Sequence, residues 1–126
     1  MFDWDSLLKI ADYKSKSDVL SLYLNTNREK DPKEGFKITF KDLTKSLPKN
    51  QKDNISKIEK YLFSQFSGEA KGLAFFSDTA SGFWQVYELQ VAVPNLVFVE
   101  ESPYIKPLAS ILEDFQKFCV VFSKIS

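Results

Sequence analysis

Alternating apolar positions predict five β-strands. The segment "DVLSLYLNT" has a leucine at every second position, and the positions between the leucines are also largely apolar. Two apolar faces are typical of a central strand that is buried on both sides. The other predicted strands are "KGLAFFSD", "FWQVYELQV", "NLVFVEES" and, closing the chain, "FCVVFSKI". The turn "TASG" predicts a hairpin or meander between the first two of these.

Apolar positions three and four residues apart predict four helices. They lie in "DWDSLLKIADYK", "FKITFKDLTKSL", "NQKDNISKIEKYLFSQF" and "SPYIKPLASILEDFQK". In the third helix we expect Ile55, Ile58, Leu62, Phe63 and Phe66 to face inward, and Asp53 or Asn54 to be the cap. Helices and strands in this order predict an α/β (α+β) fold, a mixed β-sheet of about five strands sandwiched with about four helices.

The second helix is ambiguous at its start, because "FKITF" also alternates like a strand. A helix puts four large residues on one stripe, namely Phe36, Phe40, Leu43 and Leu47. Only Ile38 falls outside that stripe, so the helix explains more residues over a longer span. We expect this helix to end before Pro48.

The aromatic residues of "FWQVYEL" fall on both sides of their predicted strand. Phe83 and Tyr87 lie on one side, and Trp84 lies on the other. Aromatic rings exposed on a sheet can stack nucleic-acid bases. A phenylalanine-rich core can also absorb them, and the sequence leaves both interpretations open.

The composition is that of a globular domain without the usual catalytic residues. The chain has 126 residues, 44% of them hydrophobic, which is enough to bury a core. It has no histidine, which excludes Ser-His-Asp and Cys-His catalysis and most zinc sites. The four glycines are isolated, and the single Cys119 is expected to be buried and structural. We therefore predict a non-catalytic protein with no cofactor and no metal. Without a signal peptide or membrane span, a cytoplasmic location is expected.

Positive charge is concentrated in one third of the chain, although 17 basic and 17 acidic residues cancel overall. Residues 28–60 carry a net charge of about +4. Lysine recurs there at every fourth residue, at Lys33, Lys37, Lys41, Lys45 and Lys49. In the predicted helix, Lys37, Lys41 and Lys45 lie on the side away from the apolar stripe. A solvated polar face explains their position, and a surface for an anion such as RNA explains their common sign.

Four blocks of sequence occur in a fixed order along the chain. They are "VLSLYLNT", "KGLAFFSD", "VYELQVAVPNLVFVEESPYIKPLASILED" and "KFCVVFSK", which together span residues 19–124. In that order they resemble the N-terminal domain of the archaeal and eukaryotic class I translation termination factors, and most of all their divergent bacterial and archaeal relatives. The last block is similar to the strand with which the family's middle domain begins.

The resemblance implies a release-factor-like N-terminal domain over residues 1–117. Residues 118–126 would be its closing strand and a candidate start of the following domain. In termination factors the middle domain carries a Gly-Gly-Gln loop that promotes peptidyl-tRNA hydrolysis, and this chain has no such triplet. The implied role is a non-catalytic module that docks on the ribosome, through rRNA or tRNA, in translation termination or ribosome rescue. The downstream domains of its own chain are the other implied partners.

A tetrapeptide in the third predicted helix is similar to the codon-reading loop of this family. The family uses Asn-Ile-Lys-Ser, and this chain has Asn54-Ile55-Ser56-Lys57, with the last two residue types exchanged. The exchange moves the lysine by about 100° around a helix, so the family's contact does not carry over. The candidate RNA-binding residues are Lys37, Lys41, Lys45, Asn54 and Lys57.

A second hypothesis is a protein-interaction or dimerisation domain without RNA contact. The net charge of zero favours it, and so do the twelve phenylalanines wherever they are exposed. Salt-sensitive binding of rRNA fragments would favour the first hypothesis, and a dimer in light scattering would favour the second.

Overall fold

The computed structural model describes residues 3–27 and 35–123, with side chains up to residue 114. Four α-helices and four β-strands lie within these ranges. They are α1 (Trp4–Ala11), β1 (Val19–Asn25), α2 (Phe36–Thr44), α3 (Lys52–Ser64), β2 (Gly72–Asp78), β3 (Phe83–Leu89), β4 (Leu96–Glu100) and α4 (Lys106–Ser123). Short 3₁₀ turns precede α3 at Lys49–Gln51 and β3 at Thr79–Ser81.

The strands form one sheet in the order β3-β2-β1-β4. The predicted combination of helices with a sheet is confirmed. The predicted mixed sheet is wrong in its strand directions, because all three pairings among the described strands are antiparallel. Parallel neighbours need one crossover helix, whereas two helices, α2 and α3, connect β1 to β2. An even number of helical passes returns the chain to the end of the sheet that it left, so β2 runs against β1.

The segment predicted as a closing strand belongs to α4, which continues to Ser123. The strand predicted over residues 118–126 is therefore wrong as far as Ser123, and residues 124–126 lie outside the described ranges. Apolar residues recur at alternating steps of four and three residues, at Leu108, Leu112, Phe115, Cys119 and Phe122. This spacing is helical, and no glycine or proline follows Pro107 to end the helix earlier. The boundary to a following domain stays a prediction.

Helices cover both faces of the sheet, because β1 and β2 are buried along almost their whole length. On one face α1 and α4 pack through Leu7, Ile10, Leu108 and Leu112 against Tyr23 and Phe76 of the sheet. On the other face α2 and α3 pack through Phe36, Phe40, Ile58 and Leu62 against Leu22 and Phe75. Two-sided burial of β1 confirms its predicted central position.

The helical interpretation of the ambiguous segment that begins at Phe36 is confirmed. In α2 the side chains of Phe36 and Phe40 are buried, while Ile38 is 68% exposed, and the helix ends before Pro48. The predicted cap of α3 is wrong: the helix begins at Lys52 after Gln51, without a side-chain capping hydrogen bond. The chain enters α3 through a 3₁₀ turn after Pro48, so Asp53 and Asn54 already lie in the first helical turn.

Candidate nucleic-acid interface

The lysines of α2 lie on its outer side, as the periodicity predicts, because Phe36 and Phe40 turn the opposite side toward the sheet. Two of them reach the neighbouring helix. The ammonium groups of Lys37 and Lys41 lie 5.2 and 5.7 Å from the ring centroid of Phe63 in α3. The ring of Phe63 is 45% exposed, so it and the two lysines form one continuous surface.

Lys45 is the third lysine of this helix, and its ammonium lies 3.9 Å from a carboxylate oxygen of Asp42. Both side chains are largely exposed and lie one helical turn apart. Exposed ion pairs of this kind contribute about 0–1 kcal/mol and are screened by salt. A phosphate group can therefore replace Asp42 as the partner of Lys45 at little cost.

On the other side of α3, Lys57 lies against the edge strand β3. Its ammonium is 4.9 Å from the ring centroid of Trp84. The period-two alternation of β3 puts Trp84 on the same side of the sheet as α2 and α3, while Phe83 and Tyr87 pack on the opposite side. Lys57 and Trp84 therefore belong to the face that carries the α2 lysines.

A small cleft of about 200 Å³ lies between α3 and β3. Its lining residues are Lys57, Lys60, Tyr61, Gln65 and Trp84. The hydroxyl of Tyr61 donates a hydrogen bond to the carboxylate of Glu88. Burial and this hydrogen bond both raise the pKa of Tyr61, so its hydroxyl remains a donor at neutral pH. The hydrogen bond fixes the tyrosine ring beside the cleft.

Charge differs between the two helical layers. Residues 35–65, which contain α2 and α3, carry seven lysines and three acidic residues, a net charge of +4. Residues 3–18, which contain α1, carry three lysines and four aspartates, a net charge of −1. The chain is thus neutral overall but has a basic side, and an anionic polymer would be drawn to the α2–α3 layer.

Asn54, the remaining predicted RNA contact, lies in the interior and is 5% exposed. Its amide nitrogen donates to the side-chain oxygen of Gln51 at 2.9 Å. Its amide oxygen accepts from the hydroxyl of Ser77 at 2.8 Å and from the backbone N–H of Thr79 at 2.9 Å. These bonds tie the start of α3 to the end of β2. We therefore leave Asn54 out of the candidate interface. Lys57, one helical turn further along α3, stays in it.

One residue of this surface, Phe63, lies on the opposite side from the one predicted. Two others, Lys60 and Trp84, were not among the predicted RNA contacts. Phe63 was expected to face inward, but about 100° per residue places it 140° from the buried Ile58, so helical geometry already carried the signal. The same geometry places Lys60 on the outer side of α3. Trp84 was recognised as an aromatic on a strand, but its pairing with Lys57 depends on how α3 packs against β3.

A second concave site is polar and has a volume of about 190 Å³. Its lining includes Ser17, Asp18, Asn50, Asp53, Asn54, Asp78 and Thr79. The buried carboxylate of Asp78 accepts hydrogen bonds from the hydroxyl of Tyr13 at 2.7 Å and from the hydroxyl of Ser15. The three buried polar side chains of its lining, Gln51, Asn54 and Asp78, are thus engaged in bonds that hold the fold. The basic side remains the stronger candidate.

Across residues 3–27 and 35–123, no helix is both long and apolar enough to cross a membrane. Comparison with protein-family models gives no match, and comparison with curated proteins gives none either. The function must therefore be inferred from the side chains of this chain.

Proposed function

We propose that this domain is a non-catalytic RNA-docking module that binds structured RNA through the outer side of α2 and α3. The basic-aromatic surface consists of Lys37, Lys41, Lys45, Lys57, Lys60, Phe63 and Trp84. The observation that carries the proposal is that three of these lysines lie over two partly exposed rings. Lysine ammonium groups contact phosphates and position a protein on RNA without reading its sequence.

The lysine–ring contacts do not prevent phosphate binding. An exposed cation–π contact contributes about 0.5–1 kcal/mol, and the cation can still approach an anion from its outer side. Contacts to about five phosphates predict that the logarithm of the affinity falls with the logarithm of the salt concentration, with a slope of about −3.5 to −4.5. Raising the salt from about 50 to about 200 mM should then weaken binding by about 100- to 500-fold.

The resemblance to the N-terminal domain of class I termination factors supports rRNA or tRNA as the partner. On this proposal the domain docks a longer protein on the ribosome in translation termination or ribosome rescue. The downstream domains of the same chain would then carry any hydrolytic step. A ribosomal role implies a cytoplasmic location.

The test is a filter-binding titration of this chain with tRNA and with rRNA helices at several salt concentrations. The informative variant is the triple substitution Lys37→Gln, Lys41→Gln and Lys45→Gln. Its matched control is Lys9→Gln, Lys14→Gln and Lys16→Gln, which removes three exposed lysines from the α1 side. We expect the first triple variant to bind about 100-fold more weakly at about 0.1 M salt and the control to stay near wild type. The absence of salt-sensitive binding at micromolar protein, or equal losses in both variants, would refute the proposal.

A second candidate function is a dimerisation domain without RNA contact. The exposed side chain of Ile38 favours it, because it lies on α2 beside the lysines and leaves apolar area in solvent. Light scattering on this chain discriminates between the two: a stable dimer at micromolar concentration would favour dimerisation, and a monomer that binds RNA would favour docking.

A further inference from the structure

We infer that the cleft between α3 and β3 holds one unpaired RNA base, stacked on Trp84, with Lys57 and Lys60 contacting the adjoining phosphates. The inference rests on the proposed RNA-docking function and deepens it, because it names the kind of nucleotide that the surface takes. Phosphate contacts alone would not distinguish an unpaired strand from a duplex.

The ring of Trp84 contacts both the core and an exposed lysine. Its centroid lies 6.1 Å from that of Phe75 and 6.5 Å from that of Tyr61, in tilted arrangements. The ammonium group of Lys57, an exposed residue, lies over the ring at 4.9 Å from the centroid. A planar base can displace this lysine from the ring without disturbing the core, and the released ammonium then lies beside the phosphate of the same nucleotide.

The size of the cleft favours a part of a polymer over a free small molecule. Its volume of about 200 Å³ is below the roughly 300–1,000 Å³ of pockets that bury a drug-sized ligand. One base fits this description, since the rest of the strand would continue along the lysines of the surface. Base–aromatic stacking strengthens binding by about 5- to 150-fold per base.

The polar groups of the cleft match a nucleotide. Lys57 and Lys60 supply two cations for phosphate, and the amide of Gln65 can both donate to and accept from a base edge. Glu88 lies beside this arrangement, and its carboxylate already accepts the hydrogen bond of Tyr61. A stack of this kind tolerates all four bases, because every base has an aromatic face. The cleft therefore selects unpaired RNA over duplex RNA and does not read a particular sequence.

The experiment uses the intrinsic fluorescence of the chain. Of the two tryptophans, Trp4 lies in α1 on the opposite side of the sheet, so Trp4→Phe leaves Trp84 as the sole indole. This variant is titrated with a short single-stranded RNA and with a blunt RNA duplex carrying the same number of phosphates. We expect the single strand to quench the fluorescence of Trp84 and to bind at least about fivefold more tightly than the duplex.

Substitution of the tryptophan itself supplies the second arm. Trp84→Leu should reduce the preference for the single strand over the duplex by at least about fivefold, while Trp84→Phe should retain most of the preference. Far-ultraviolet circular dichroism verifies that each variant is folded, and the quenching arm does not depend on altering Trp84. Binding of both RNAs with equal affinity and without quenching overturns the inference and leaves the RNA-docking function intact. Failure to bind either RNA at micromolar protein overturns both.

Discussion

Replacing Asn54 with alanine separates a structural role from an RNA-binding one. Asn54 lies in the first turn of α3 and is almost completely buried. It makes three hydrogen bonds of 2.8–2.9 Å, one to Gln51 in the turn before the helix, one to Ser77 in β2 and one to Thr79 after β2. These bonds are the polar link between the start of α3 and the central sheet.

The size of the effect follows from these contacts. Each lost hydrogen bond costs about 1 kcal/mol net, which gives about 3 kcal/mol for the substitution. Leaving a partner buried and unpaired would add about 1–3 kcal/mol for that group. The adjacent polar cleft, which Asn54 and Thr79 both line, admits water to part of this site and reduces that penalty. Alanine also recovers roughly half a kcal/mol of helix propensity. We therefore expect a net loss of about 3 kcal/mol in the free energy of unfolding.

Urea unfolding monitored by circular dichroism measures the loss, with Asn50→Ala as the matched control. Asn50 is exposed in the 3₁₀ turn just before α3, so its substitution should change the unfolding free energy by less than about 0.5 kcal/mol. Folded Asn54→Ala protein should bind RNA like wild type. A loss below about 1 kcal/mol would refute the structural role. A loss of RNA affinity by folded protein would return Asn54 to the interface.

Two further predictions concern the glycines at the start of β2 and before β3, and the acid stability that Asp78 contributes. Gly72→Ala should lower the unfolding free energy by about 2 kcal/mol or more, because the added Cβ would lie 2.7 Å from the backbone oxygen of Val91. Gly82 has a φ of +74°, and no atom lies within 4 Å of a Cβ added there, so Gly82→Ala should cost about 1 kcal/mol for its left-handed backbone. Urea unfolding measures both variants. A larger loss for Gly82→Ala than for Gly72→Ala would contradict this reasoning. Burial by itself raises the pKa of Asp78, but hydrogen bonds from Ser15 and Tyr13 outweigh it, so the pKa lies below its usual value. A lowered pKa gives stability that is complete above about pH 5 and is lost as the pH falls through the folded pKa. Below about pH 5, wild type should therefore lose stability more steeply than Asp78→Asn. Parallel curves of unfolding free energy against pH would contradict the assignment.

Local patterns predicted the central part of the fold. Two apolar faces identified β1, and a stripe of large apolar residues identified α2 against the competing strand pattern. The end of the chain was mispredicted, because a short run of apolar and β-branched residues fits a buried strand as well as a buried helix. Strand directions depend on the number of helices that pass between paired strands, which no local pattern contains.

The candidate site was predictable only in part, for a related reason. Helical periodicity placed Lys37, Lys41 and Lys45 on the outer side of α2. It could not show that Lys37 and Lys41 reach Phe63, or that Lys57 reaches Trp84, because those contacts depend on how α3 packs between α2 and β3. A polar residue at the start of a helix is most often a cap, and Asn54 instead uses the same amide to join two elements.

Partly exposed rings are the feature by which the proposed binding surface differs from an ordinary solvated helix face. A solvated helix face needs lysines or other polar residues, but it does not need a phenylalanine that is 45% exposed in the middle of them. The ammonium groups of Lys37 and Lys41 lie over that ring, so two cations lie beside one partly exposed aromatic side chain. Trp84 and Lys57 repeat the arrangement on the far side of α3. Two such arrangements on one basic layer support the proposed binding of an anionic polymer with aromatic bases.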